Sequence, residues 1–321
     1  MDLRGTADYS SRRAGIGMPG RLEERVIGCF AGVATGDAIG KQTETLSRAE
    51  VQQWYPGGIT GFHGRPGDVI PRYVGKRYEW RIGETTDDTE QTLAVARALL
   101  SEGRASHTAI GRELLGCRKS AHPGVSLWKL LESGEPGRVA TDGDGCGAAM
   151  RAAPIGVMYP VSRLDELVQS AYECAVPTHG GQLAISGAAA VAGAVSAALE
   201  DLAGDELVAV AVRAAKGAMA DAIERAYSDL KVDELAPPLE VRTIVPLAIS
   251  LAVTTGSAEK TALIAANLGG DADSVASIGG AIAGALAPET VNQEWFAVVK
   301  AINGDDILGV ARALAALHYT R

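Results

Sequence analysis

Aromatic side chains are scarce in this sequence, where only 15 of 321 residues are Phe, Trp or Tyr. Cysteine is scarce as well: the four cysteines are widely spaced and form no Cys-x-x-Cys pair, which excludes a disulfide framework and indicates reduced thiols in a cytoplasmic protein. Long apolar runs are also missing. The longest, residues 183–199, is rich in Ala, Gly and Ser and too weakly hydrophobic to favour a membrane span, so we expect a buried helix there.

Basic residues show no concentration along the chain, and the formal net charge is −9. Because phosphate backbones are bound by stripes of Lys and Arg, we expect no nucleic-acid partner. The weak hydrophobicity likewise predicts no membrane partner. Residues 1–20 contain three arginines but no apolar stretch, and they are predicted to form a flexible leader and not a secretory signal.

Small residues dominate instead: 55 alanines and 39 glycines make up 29% of the chain. Ala is the best helix former, and small side chains let helices approach closely, so the composition predicts an all-α protein. No convincing strand and no dividing linker appear. We predict a single compact multi-helix domain over residues 21–321, with a long irregular loop at residues 56–84. Besides helices beginning at Arg21 and near residue 86, the predicted helices are 107–119, 163–175, 181–200, 203–228, 242–255, 258–268, 274–286 and 294–317.

Acidic residues cluster at three predicted loop-to-helix junctions. The first cluster is Asp37 with Glu44, the second lies in residues 85–90, and the third in residues 269–274. Carboxylates at a helix start also serve as caps, so each cluster alone is open to a purely structural interpretation. The second and third clusters together, both made of oxygen ligands with no neighbouring His or Cys, favour Mg²⁺, Mn²⁺ or Ca²⁺ over zinc.

Five ordered segments make the chain resemble the ADP-ribosylglycohydrolase family, which includes the dinitrogenase-reductase-activating glycohydrolases and the ADP-ribosyl-acceptor hydrolases. The segments are GCFAGVATGDAIG (28–40) followed by Glu44, TTDDTEQTL (85–93), GCGAAMRAAP (145–154), Thr178-His179, and ANLGGDADS (266–274). Two positions depart from the expected forms: Cys146 stands where Asn is frequent, and Ala272 where Thr or Ser is frequent. The segment 57–81 is individual to this sequence, and we expect it to shape the substrate mouth.

The resemblance implies an all-α fold around two divalent metals, usually Mg²⁺ with Mn²⁺ as an alternative. The residues it implies as metal ligands are Thr86, Asp87, Asp88, Asp271, Asp273 and Ser274. It places Glu44 as a catalytic or metal-adjacent carboxylate, alongside Asp87 and Asp273. It places Gly145, Cys146 and Gly147 on a glycine-rich loop beside the ligand, and His179 at a position that binds ADP-ribose.

The bond to be cleaved is the glycosidic bond at the anomeric carbon of a ribose, through an oxocarbenium-like transition state. Two metals are expected to hold the ribose hydroxyls and activate a water, from which Glu44 accepts a proton. A helix-end salt bridge is the alternative for Glu44. Arg151 is open between pairing with phosphate and tying two helices together. We expect Asp37 to bond backbone amides and Cys146 to be a passive small side chain.

Three functions compete at this point. The first is a metal-dependent hydrolase that removes ADP-ribose from a protein or small-molecule partner. The second is an N-ribosyl hydrolase of a small nucleoside-like metabolite, and the third is a non-enzymatic, crystallin-like member of the same fold. Few aromatic residues are candidates for stacking on adenine. They are chiefly Phe62, Trp80, Trp128 and Tyr159.

Overall fold

The computed structural model describes residues 19–119 and 125–318, which fold into one compact all-α domain, as predicted. No strand is present in these ranges, only an isolated bridge between Val69 and Arg81. The predicted leader lies outside them, except for Pro19 and Gly20, which open the first helix. The helices are α1 (Pro19–Gly40), α2 (Arg48–Trp54), α3 (Asp87–Glu102), α4 (His107–Leu114), α5 (Val125–Ser133), α6 (Gly147–Met150), α7 (Ala153–Met158), α8 (Leu164–Ala175), α9 (Gln182–Leu199), α10 (Gly204–Ala215), α11 (Gly217–Ser228), α12 (Val241–Thr255), α13 (Ala258–Leu268), α14 (Ala272–Leu286), α15 (Gln293–Asn303) and α16 (Ile307–His318).

A stripe of glycines along α1 sets the closest helix packing in the molecule. Gly28, Gly32, Gly36 and Gly40 recur every four residues on one face. A Cβ added at any of them would come closer than 3.0 Å to a backbone atom of α14 or of the turn that follows it. The facing positions on α14 fall in number as those on α1 rise, so the two helices are antiparallel. Their contact brings the end of α1 beside the start of α14.

Two predicted helices are each two helices in the structure. The predicted helix 203–228 is broken at Lys216 and Gly217, which have φ of 57° and 55°, a left-handed backbone that no α-helix continues through. The predicted helix 294–317 ends at Asn303, because Gly304 follows with φ of 72° and caps it. The short helices α2, α5 and α7 were not predicted, since six to nine residues carry little periodicity.

The helix predicted across residues 183–199 is α9, and it lies inside the protein. It is long and apolar enough to pass a length-and-composition test for a membrane span, but 83% of it is buried within the structure. It packs against α8, α10 and α14. Burial against helices on several sides accounts for its apolar character, as expected of a core helix.

The irregular segment 56–84 folds over the end of α1. It contains one turn of 3-10 helix, Pro71–Tyr73, and a small apolar cluster of Ile70, Trp80 and Ile82 that is separate from the main core. The amide of Ile70 donates to the carbonyl oxygen of Trp80 at 2.8 Å. The four cysteines are free, as predicted.

Candidate active site

Asp37, near the end of α1, anchors the start of α3. Its carboxylate accepts hydrogen bonds from the amides of Thr86 (3.0 Å) and Thr89 (3.1 Å) and from the Thr89 hydroxyl (2.5 Å). Burial raises the pKa of Asp37, and these hydrogen bonds oppose the rise. The predicted role of Asp37, bonding backbone amides near the glycines, is confirmed.

The second acidic cluster occupies the first turn of α3. Thr86 is the N-cap, and its hydroxyl accepts from the amide of Asp88 at 3.2 Å. Asp88 in turn accepts a 2.6 Å hydrogen bond from the Ser277 hydroxyl on α14. The sequence left open whether this cluster caps the helix. In the structure the cap is the Thr86 hydroxyl, so the carboxylates of Asp87 and Asp88 are not used for capping.

The third cluster opens α14, and a backbone pairing joins it to the turn that carries Glu44. The amide of Thr45 donates to the carbonyl of Gly270 (2.6 Å), and the amide of Gly270 donates to that of Leu46 (2.8 Å). Gly269 and Gly270 have φ of 74° and 67°, and a Cβ at either would strike backbone. Only glycine allows this approach, which sets Asp271 and Asp273 near Glu44.

Burial dominates the electrostatics of this region. It raises the pKa of Asp87 to about 7, an effect that Glu44 and Asp37 reinforce and Lys41 opposes. Burial also raises the pKa values of Asp88, Asp271 and Asp273, in each case with help from neighbouring carboxylates. Burial and neighbouring carboxylates therefore raise the pKa values of four carboxyl groups from two distant segments, and either protons or a cation must neutralise their charge.

The donor chemistry of this cluster suits a hard divalent cation, because every side chain is a carboxylate or a hydroxyl. Its hydroxyl members are Thr86 and Ser274, which are 1% and 3% exposed. In the described part of the chain, no three His, Cys, Asp or Glu side chains converge closely enough to surround one ion. The residues therefore suit such an ion by their donor chemistry, but their carboxylates do not converge on a single point in this structure.

The glycine-rich loop lies against His179. A Cβ at Gly147 would be 2.7 Å from His179 Cε1, and a Cβ at Gly145 would be 3.2 Å from Nε2, so the imidazole needs both glycines. Its Nδ1 is 2.7 Å from the Thr178 hydroxyl. Burial, followed by the Arg151 and Arg138 charges, lowers the pKa of His179 to about 3, which keeps the ring neutral. The thiol of Cys146 lies beside Ser274, and burial raises its pKa well above the usual range, as fits a passive side chain.

Family membership follows from comparison with known proteins. A family model described as ADP-ribosylglycohydrolase matches residues 18–321. The chain belongs to the ADP-ribosylglycohydrolase family. A protein of Archaeoglobus fulgidus is 32% identical over 280 residues, covering 82% of this chain and 88% of its own. The ADP-ribosylhydrolase ARH3 of Mus musculus is 27% identical, covering 90% of each chain.

A solved structure supports the same assignment. A protein described as an ADP-ribosylglycohydrolase-related protein complex superposes with a TM-score of 0.72 at 25% identity, covering 93% of this chain and 99% of its own. The chain is thus an enzyme, a hydrolase of glycosyl bonds, and the non-enzymatic alternative is set aside.

In this member of the family, Arg151 is structural. It is fully buried and donates to Gln91 Oε1 (2.7 Å), the carbonyl of Cys174 (2.9 Å) and the Thr178 hydroxyl (2.7 Å). These bonds tie α3 to the end of α8 and to the residue beside His179. The helix-tying alternative is the one the structure contains, and Arg151 supports the site through Thr178.

Two of the four candidate adenine-stacking residues are unavailable. Trp80 and Tyr159 are 4% and 5% exposed and packed on protein. Phe62 contacts the Trp295 ring, with centroids 6.3 Å apart, and Trp128 is 50% exposed. Trp128 on α5 and Phe62 are the candidates that remain.

Three residues of the region were missed from sequence. Lys41 forms an ion pair with Glu44, Ser277 bonds Asp88, and Asp144 accepts from the amides of Leu183 and Ala184 at the start of α9. The ion pair of Lys41 could have been found from the sequence, because Lys41 and Glu44 are three residues apart. Nothing local distinguishes Ser277 or Asp144 from any other polar residue.

Proposed function

We propose that this chain is a Mg²⁺-dependent hydrolase that removes ADP-ribose from an acceptor. The observation that carries the proposal is the meeting of three acidic segments, residues 37–44, 86–88 and 271–274, which are remote in sequence. The mouse relative is an ADP-ribosylhydrolase by name, which supports ADP-ribose as the leaving half of the substrate. The substrate partner is then an ADP-ribosylated protein or a small ADP-ribose-containing molecule, and the site of action is the cytoplasm.

Two Mg²⁺ ions, with Mn²⁺ as a substitute, are proposed to be held by the residues Thr86, Asp87, Asp88, Asp271, Asp273 and Ser274. Bound ions would polarise the ribose hydroxyls and make a water more acidic. The charge of the ions would also offset the mutual repulsion of these buried carboxylates, whose pKa values burial raises.

Glu44 is the proposed base. It stands at the edge of the acidic cluster with its side chain 25% exposed, so it is accessible to a water and to substrate. It would take a proton from the attacking water as the bond at the anomeric carbon breaks. The neutral His179 and the backbone of Gly145, Cys146 and Gly147 would contact the ADP-ribose moiety.

A small riboside without a pyrophosphate is the second candidate substrate, and Asp144 favours it. The carboxylate of Asp144 already occupies the amides that open α9, at 2.9 and 3.2 Å. A carboxylate there disfavours a second anion at the same helix start. The loss of Trp80 and Tyr159 as stacking surfaces points the same way.

Turnover of ADP-ribosyl-arginine, O-acetyl-ADP-ribose and simple ribosides, with Mg²⁺ and with EDTA, tests both candidates. We expect Mg²⁺-dependent release of ADP-ribose from at least one of the first two. Release of base from ribosides alone would establish the second candidate. If no substrate is hydrolysed with Mg²⁺ or with Mn²⁺, the proposal is wrong.

Metal binding is tested separately by thermal stability. Mg²⁺ at 100 times its Kd should stabilise the wild type by about 2.7 kcal/mol. Asp271→Asn and Asp87→Asn should each abolish that stabilisation together with turnover. Asp221→Asn, an exposed aspartate on α11, is the matched control and should keep both. A wild type that shows no shift with Mg²⁺ or Mn²⁺ contradicts the metal site.

A further inference from the structure

Lys41 is a buried cation at the edge of the acidic cluster. It follows α1 directly, and its side chain is 7% exposed. Its Nζ forms an ion pair with Oε2 of Glu44, three residues further along. Burial alone would lower the pKa of Lys41, but the carboxylates of Glu44 and Asp273 overcome this and raise it, so the ammonium group stays charged.

Aromatic rings enclose the other side of the ammonium group. Nζ lies 4.1 Å from the ring centroid of Trp80 and 5.7 Å from that of Tyr73. Trp80 is itself held by Tyr78, with centroids 4.6 Å apart. An ammonium over aromatic faces is attracted by the ring quadrupoles, and the attraction grows when water is excluded. The rings thus cover the ammonium group on one side, and the Glu44 carboxylate is its ion-pair partner.

Arg72 clamps this aromatic segment onto the end of α1. It donates to the carbonyl oxygens of Lys41 (3.2 Å) and Gln42 (3.3 Å). Its guanidinium also lies 4.1 Å from the ring centroid of Tyr73. The backbone that carries Lys41 and the rings that enclose its side chain are therefore one connected unit.

We propose that Lys41 is a positioning residue for Glu44, and that the aromatic cage of Tyr73 and Trp80 fixes the direction from which it holds the carboxylate. This rests on the proposed function, in which Glu44 takes a proton from water. Glu44 lies in the turn after α1 with its side chain 25% exposed, and the next residue, Thr45, has a left-handed backbone with φ of 68°. A free glutamate there would sample several rotamers, whereas proton transfer needs one of them. The segment that was expected to shape the substrate mouth thus also supports the catalytic carboxylate.

The test compares Lys41→Met, Lys41→Arg and Lys300→Met. Methionine fills the aromatic cage without a charge, so it separates packing from orientation. Lys300 is the matched control, since it is an exposed lysine on α15 whose Nζ lies 4.9 Å from the ring centroid of Phe296. Melting temperature, kcat and KM are measured for each variant on whichever substrate the wild type hydrolyses.

We expect Lys41→Met to lower kcat by about 10- to 100-fold, the scale of a misplaced catalytic group, with KM changed less than about threefold. Lys41→Arg should recover part of the loss because it restores the cation. Lys300→Met should match the wild type. If Lys41→Met keeps kcat within about twofold of wild type while Glu44→Gln loses it, the proposal is overturned.

A crystal structure of Lys41→Met provides a readout that needs no turnover. We expect the Glu44 side chain to leave its wild-type rotamer. If the wild type hydrolyses none of the substrates, the proposed function fails, and this structure alone decides the role of Lys41. An unmoved Glu44 then refutes the positioning role, and a displaced one supports it.

Discussion

Replacing Gly32 by alanine tests the helix contact on which the site depends. Gly32 is in the middle of α1, and a Cβ there would come closer than 3.0 Å to the carbonyl oxygen of Gly280 on α14. The obstacle is backbone, so no side chain can rotate out of the way and the two helices must separate. Gly280 has the same conflict with Gly32 in reverse, which shows that both backbones are already in contact.

The expected magnitude comes from two opposing effects. Overpacking a well-packed contact costs about 1–3 kcal/mol, and a backbone obstacle sets the cost at the upper end. Alanine regains about 1 kcal/mol of helix propensity over glycine. The net loss is about 2 kcal/mol. With an unfolding entropy of about 2.1 cal/mol/K per residue, this lowers Tm by about 3 °C for 321 residues.

Thermal and urea unfolding of Gly32→Ala measure this loss. The control is Gly20→Ala in the first turn of α1, where a Cβ meets nothing within 4 Å, and its stability should be unchanged or slightly higher. Gly32→Ala should also weaken Mg²⁺-linked stabilisation, because α1 and α14 carry Asp37 and Asp273. A Gly32→Ala protein as stable as the control would refute the close-packing explanation for the stripe.

Two further predictions concern charge. The pKa of Asp87, raised to about 7 from 3.8, means that the folded protein keeps a proton between pH ~4 and ~7 that the unfolded chain has lost, so the stability conferred by this group falls as pH rises through that window. The pKa of His179, lowered from 6.5 to about 3, acts in the opposite sense. Thermal melts of the wild type and of Asp87→Asn, in EDTA at pH 5 and pH 8, isolate the contribution of Asp87. Equal pH dependence of stability in the two proteins would contradict the assignment. Arg151→Met should cost about 3 kcal/mol because it leaves buried acceptors without donors, whereas Arg97→Met, which removes an exposed pair with Glu113, should cost less than about 0.5 kcal/mol. Urea unfolding compares the two, and similar losses would show that burial of Arg151 is not what matters.

The helix boundaries show where local sequence suffices. The start of α3 near residue 86 follows from capping chemistry within one turn, and the structure has Thr86 as the N-cap of that helix. The break at Lys216 was missed because a lysine in a left-handed backbone has no local signal. The break lets α10 and α11 pack against each other.

The acidic residues were predicted from sequence as three separate clusters, and their order along the chain matched one family. That much is local, because it depends on residue type and spacing. The abundance of alanine and glycine also predicted that helices approach closely, without indicating which helices meet.

Tertiary structure alone decided what lies opposite each of these features. It placed α14 against the glycine stripe, Ser277 against Asp88, and the rings of Tyr73 and Trp80 around Lys41. It also buried Trp80, a residue that composition had offered as a stacking surface. The physical reason is that helix propensity and capping act over about four residues, whereas burial and these side-chain contacts depend on segments tens to hundreds of residues away.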